Sequence, residues 1–182
     1  MNRILILLFI SFSLLGSNTK SNQFIARQGQ VSFFSYTTAE NIEAKNNQVL
    51  SIIDVSNNEI AISMLMNAFI FKKSLMYEHF NESYIESDLY PKATFKGHIL
   101  DFDSSQVESQ TRIVKGTLTI RNISKEIEIK TIITKDNNTY ILEGDFEIVV
   151  KDFDIKIPPI VASNIAKIIT TKFRFEYESY EE

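Results

Sequence analysis

No cysteine occurs anywhere in the 182 residues. That one absence removes disulfides, thiolate metal centres and cysteine nucleophiles together. Glycine and proline are scarce, at five and three, and nothing in the composition describes a disordered or low-complexity chain. Histidine occurs twice, at His79 and His98. There is no G-x-S-x-G elbow, no H-E-x-x-H helix, no glycine-rich phosphate loop and no C-x-x-C pair. Acidic residues abound, but no pair of them is singled out for hydrolytic work. The sequence therefore reads as that of a non-enzyme. A basic patch is missing too. The formal charge of −4 is dispersed along the chain, which argues against nucleic acid as a partner and against docking on an anionic membrane.

What remains is an apolar chain of one-domain length. Hydrophobic residues make up 44% and aromatic residues 12%, enough to build a core. The first residues, MNRILILLFISFSLLGSN, place Arg3 before an uncharged run from Ile4 to Leu15. Such a run is too short to span a bilayer comfortably and suits the apolar segment of a signal peptide. Ser17 stands where a lipoprotein would carry its acylated cysteine. The expectation is a leader over residues 1–21, cut between Gly16 and Asn22, and a single exported domain over 22–182 with no stable membrane anchor.

Past the leader, strand follows strand. Gly29 to Thr37, Gln48 to Val55, Glu59 to Asn67, Ala93 to Phe102, Arg112 to Ile120, Glu126 to Thr134, Tyr140 to Val150 and Ile168 to Tyr177 are rich in β-branched and aromatic residues. Ile60, Ile62, Met64 and Met66 alternate with Ala61, Ser63 and Leu65. Ile127, Ile129, Thr131 and Ile133 alternate with charged Glu126, Glu128 and Lys130. Each pattern is that of an antiparallel strand with one wet face and one dry face. Ser56-Asn57-Asn58 and Asp136-Asn137-Asn138 read as hairpin turns. Successive strands without long helices predict an all-β antiparallel barrel or sandwich. At about eight strands, a barrel interior holds either packed side chains or one elongated ligand.

Two segments interrupt the series. In MYEHFNESYIESDLYPKATFKG, residues 76–97, the spacing predicts a short helix over Lys72 to Phe80 with Leu75, Met76, His79 and Phe80 on one side. Glu78, Glu82 and Glu86 recur at four-residue steps and are expected to form a solvated face. In IKIPPIVASNIAKII, Pro158-Pro159 suits a helix start, after which Ile160, Val161 and Ile165 form one apolar side. Both interruptions are expected to cap the barrel. His79 can hydrogen-bond within the cap or to a ligand head group, act as a base, or bind a metal. A metal would need a second imidazole, and the other histidine, His98, lies on a separate strand.

The same residues carry a resemblance. The stretch "HFN…YP.ATFKG" within residues 76–97 resembles a signature of the YceI-like family of secreted polyisoprenoid- and lipid-binding proteins. NAFIFKKSLMYEHF is similar to that family's "F.F…LM.EHF" segment, VKGTLTIRNISKEIEI to its "V.G.LTIHG..K" hairpin, and FDIKIPPIVASNIAKII to its late proline loop. The pieces run in the family's order from about Gly29 to the C-terminus. One departure stands out: many members carry His-Gly where this chain has Arg121-Asn122.

What the resemblance implies is a lipocalin-like β-barrel with short helical caps, periplasmic, holding a polyisoprenoid or similar long-chain amphiphile. No cofactor is implied beyond a bound isoprenoid lipid or quinone-like ligand, and monomer and homodimer both stay open. Transfer of each methylene out of water stabilises such a complex by about 0.8 kcal/mol. The residues expected to line the ligand space are Phe69, Phe71, Leu75, Met76, His79, Phe80, Phe95, Ile99, Phe146, Ile148 and Phe173. The competing expectation is a structural or interaction barrel whose interior is filled by those same side chains.

Overall fold

The computed structural model describes residues 22–180; the expected leader lies outside the described residues. Nine antiparallel strands follow one another: β1 (Gln23–Tyr36), β2 (Asn41–Asp54), β3 (Glu59–Leu65), β4 (Ile70–Phe71), β5 (Lys92–Ile99), β6 (Gln110–Ile120), β7 (Ile123–Asp136), β8 (Thr139–Val149) and β9 (Ile168–Ser179). The hydrogen-bonded order is β1-β9-β8-β7-β6-β5-β3-β2, and β1 pairs with β2 to close the ring. Eight strands thus make a barrel, and β4 adds two residues to the outer edge of the start of β2 through Ala44 and Lys45.

The dry faces point inward as the alternation predicts. Ile60 and Met66 are buried, as are Ile129, Thr131 and Ile133, while Glu126, Glu128 and Lys130 lie on the solvent side. Between β5 and β6 the backbones come unusually close. Gly97 faces Gly116 across the ladder, and a Cβ on Gly116 would meet the Lys96 carbonyl oxygen at 2.3 Å and the Gly97 Cα at 2.6 Å. Neither strand can carry a side chain at that crossing.

The sequence under-reads β2. Asn41 to Asn47 is rich in Asn, Glu and Lys, poor strand formers, yet Asn41 to Asn46 pair with β1 residue by residue. A register shift near Asn46 is held from inside: the buried Asn46 amide donates to the Leu65 carbonyl at 2.9 Å and accepts the Gln48 N–H at 2.8 Å. Such a bulge bends the strand.

The connections fall into two groups. The base of the barrel collects the start of β1, the β2–β3 and β7–β8 turns and the β5–β6 connection. The mouth collects the β1–β2 turn, the long β3–β5 and β8–β9 connections and the Arg121-Asn122 turn. Both expected caps are therefore at the mouth, but neither has the expected form. The first is a single helical turn, α1 (Ser74–Glu78), which widens into a π-helical turn over His79–Tyr84. The second has no α-helix: 3-10 turns at Val150–Phe153 and Pro159–Val161 are joined by extended chain, and Ile160 is 90% exposed. Pro159 starts a turn as expected; with Ile160 facing water, no apolar stripe holds a longer helix against the barrel.

Candidate functional site

Under the mouth lies an apolar cavity of about 130 Å³. Strand β1 contributes Val31, Phe33 and Ser35 to its wall, β9 contributes Ile169 and Thr171, and β8 contributes Phe146 and Ile148. The caps roof it with Phe69, Phe71, Met76, Phe80, Tyr84 and Ile85 from one side and Ile155, Ile157 and Ile165 from the other. A second, deeper cavity of about 40 Å³ is lined by Ile60, Ile62, Phe95, Val114, Ile129 and Phe173 among others. The two adjoin: Val31, Met64, Leu118 and Phe146 border both. No Asp, Glu, Lys, Arg or His lines either.

The roof is aromatic. Phe33 stacks near Phe80 with ring centroids 5.5 Å apart, and Phe69 and Phe71 contact both rings at 5.1–5.8 Å. Offset and edge contacts of this kind stabilise beyond area burial alone. Beneath them Met64 and Met66 supply unbranched, adaptable surface.

Of the residues expected to form a ligand space, Phe69, Phe71, Met76, Phe80, Phe146 and Ile148 meet in the mouth cavity, and Phe95, Phe146 and Phe173 in the deeper one. Leu75, Ile99 and His79 line neither. Leu75 is 53% exposed on the outside of α1. Ile99 is buried, but in the solid core towards the base. His79 lies beside the Tyr84 ring, 6.4 Å between centroids. Among the described residues no group of three or more His, Cys, Asp or Glu is placed to hold a metal. Residues missed by sequence reasoning include Phe33, Ser35, Ile42, Tyr84, Ile120, Ile155, Ile157, Ile169 and Thr171. Alternation signals that the strand residues among them point inward; their depth along the barrel carries no sequence signal.

Arg121 ties the two caps together. Its guanidinium donates to the Tyr84 carbonyl at 3.0 Å and the Asp154 carbonyl at 2.8 Å, pairs with the Glu86 carboxylate, and lies over the Tyr90 ring at 5.3 Å. Glu86, Arg121, Asn122 and Asp154 all have φ between 51 and 60°. Arg121-Asn122 is thus a two-residue turn with both residues left-handed, the geometry that suits a β-hairpin. Glu86 is not part of a solvated acidic face with Glu78 and Glu82: π-widening breaks the four-residue rhythm, and its carboxylate turns to Arg121. Asn81 is buried and donates its amide to the Tyr77 carbonyl at 2.9 Å, pinning the widened turn.

Three polar side chains reach the mouth cavity: Ser35, Tyr84 and Thr171. Burial pushes the Tyr84 phenol pKa up, keeping it neutral. The Ser35 hydroxyl oxygen accepts the Ala166 N–H at 2.8 Å, tying the second cap to β1. The Thr171 hydroxyl has no hydrogen-bond partner.

The barrel is similar to solved structures at low sequence identity. A polyisoprenoid binding domain from Saccharophagus degradans, implicated in plant cell wall breakdown, aligns with a TM-score of 0.75 at 14% identity, covering 88% of this chain and 100% of that one. BcnA of Burkholderia cenocepacia aligns at 0.69 with 16% identity over 81% and 95% of the two chains. The Campylobacter jejuni YceI protein aligns at 0.64 with 15% identity over 81% and 90%. No curated protein sequence matches the chain. A model of the YceI-like domain matches residues 18–177, which takes in both caps and every strand except the last two residues of β9, and on that match the chain belongs to the YceI-like domain family.

Proposed function

We propose that this protein binds the hydrocarbon chain of a polyisoprenoid or comparable lipid inside its barrel and carries it through the periplasm as a soluble complex. The observation that carries this reading is the mouth cavity, whose wall is hydrocarbon apart from three neutral hydroxyls and holds no charge. An apolar cavity on the order of 150 Å³ stays dry and accepts a benzene-sized guest, so 130 Å³ is an entry site for a chain rather than its full berth. A longer guest needs Met64, Met66 and the roof phenylalanines to move, and unbranched methionine adapts readily. Membership of the YceI-like family and the likeness to a polyisoprenoid binding domain support the same ligand class. Export is supported by the apolar run Ile4 to Leu15, which ends before the family match begins at residue 18.

The closed base and the small volumes favour a second reading, a structural barrel filled by its own side chains. Native mass spectrometry of protein taken from its host, followed by extraction and weighing of whatever co-purifies, separates the two. The carrier reading expects an added mass that extracts into organic solvent. A homogeneous ligand-free protein that also fails to take up added prenyl lipid would overturn it.

A further inference from the structure

We propose that Thr171 is a polar anchor inside the mouth cavity and that the cargo is a neutral lipid bearing a hydroxyl or carbonyl oxygen, not a phosphorylated one. This rests on the carrier reading and adds the chemistry of the guest. Thr171 sits on β9 between Phe33 of β1 and Phe146 of β8, in register with both. It is 3% exposed, it belongs to the cavity wall, and its hydroxyl is unpartnered. Buried hydroxyls are ordinarily paired. The barrel itself shows how: Thr131, inward on β7 beside the deeper cavity, donates to the Arg112 carbonyl across the sheet at 3.1 Å. Thr171 makes no such bond, so its hydrogen-bonding capacity is left for a guest.

The surroundings define that guest. Ser35 lies on the adjacent strand and is two residues from Phe33, the partner of Thr171, so the two hydroxyls are diagonal neighbours on one inner face. Ser35 already accepts a backbone N–H, which leaves its proton to donate to an incoming oxygen. Tyr84 adds a third neutral hydroxyl from the roof. No cation is present in either lining to offset a phosphate, and an unpaired anion in hydrocarbon is strongly disfavoured. One oxygen on an otherwise oily chain matches this wall.

The test compares farnesol, farnesene and farnesyl phosphate on the wild type and on Thr171→Val, which keeps the β-branched shape while deleting the hydroxyl. Titrations are followed by native mass spectrometry. The wild type should bind farnesol about three- to tenfold more tightly than farnesene, the range of one neutral hydrogen bond, and farnesyl phosphate more weakly than farnesol. In Thr171→Val the ratio of farnesol to farnesene affinity should fall about threefold or more, the hydroxyls of Ser35 and Tyr84 retaining what remains of the preference. The ligand-free variant should also melt no lower than wild type, since it loses only an unpaired buried hydroxyl. A farnesol preference undiminished in Thr171→Val, equal binding of farnesol and farnesene by the wild type, or phosphate binding as tight as the alcohol would each overturn the anchor. Farnesene binding in those cases leaves the carrier reading standing; failure of all three probes to bind overturns both.

Discussion

The two ends of the barrel are closed by different means. At the base, Phe24 meets Tyr140 edge-on at 4.7 Å, Phe102 packs on the same ring, and Tyr177, with no exposed surface, shares a 2.7 Å hydrogen bond with Ser51. Gln110 clamps the Asp103 backbone with both ends of its amide. Among the described residues, one buried side-chain polar atom without a partner, Arg112 Nε, lies towards this end. At the mouth, rings and isoleucines from two irregular connections lean over open space, and Asn81 Oδ1, Arg121 Nε and Thr171 Oγ1 are unpartnered. Native proteins tolerate such unsatisfied groups chiefly where function requires them. The base is built for stability, and the mouth gives some of it up.

Truncations should separate the ends, and the largest effect belongs to the base side. Phe175→Ala removes a ring that is almost wholly buried between Phe173 and Tyr177, where it also borders the deeper cavity; a loss of about 3–5 kcal/mol is expected in urea unfolding. A loss under about 1 kcal/mol would mean the base is no better packed than the mouth. Next comes Arg121→Ala, which leaves the Tyr84 and Asp154 carbonyls without their donor. It should cost about 1–3 kcal/mol. Amide exchange should quicken in both cap segments, residues 74–90 and 150–167, while the base strands keep their protection. Quickening in one segment alone would show that the guanidinium does not couple them.

Smaller effects sharpen the contrast. Phe146 is only half-buried and borders both cavities, so Phe146→Ala removes fewer packed contacts than the truncation of the almost wholly buried Phe175. Its stability loss should stay near 1–2 kcal/mol, below that of Phe175→Ala, while uptake of prenyl lipid changes measurably. The smallest effect is electrostatic and sits at the base rim. The Ser56 hydroxyl donates to Asp54 and holds its carboxyl below the usual value of 3.8. A depressed folded-state value contributes stability above the unfolded pKa and loses it as the pH falls through the folded one. Wild type should therefore exceed Asp54→Asn in stability at neutral pH, and the gap should close as the pH drops below about 4. A gap that persists in strong acid would assign the difference to packing.

How far this contrast could be read from the sequence depends on which physical signal each residue carries. Period-two alternation depends only on the pleat, so Ile127 to Ile133 and Ile60 to Met66 declare their inner faces openly. Depth along the barrel depends on register with a partner strand, and no single strand encodes that. Phe95 and Ile99 show the limit: both point inward from β5, yet Phe95 meets the deeper cavity and Ile99 falls in solid core. The first half of β2 was hidden because tertiary pairing overrides the weak propensity of Asn and Lys. The cap helices were over-read because a run of apolar residues at three- and four-residue steps looks the same whether it turns as α, π or 3-10.

The ring is laced unevenly where β7 meets β8. Their ladder runs only from Thr131–Gly144 to Asp136–Thr139, at the base, so residues 123–130 of β7 and 145–149 of β8 have no ladder partner across that seam. Glu126, Glu128 and Lys130 stand on the outer face of the open stretch of β7, and charged side chains on an open edge discourage a second chain from pairing with it. The half of the barrel nearer the mouth is thus held together by fewer backbone bonds than the half nearer the base, and its looser seam is guarded by charge.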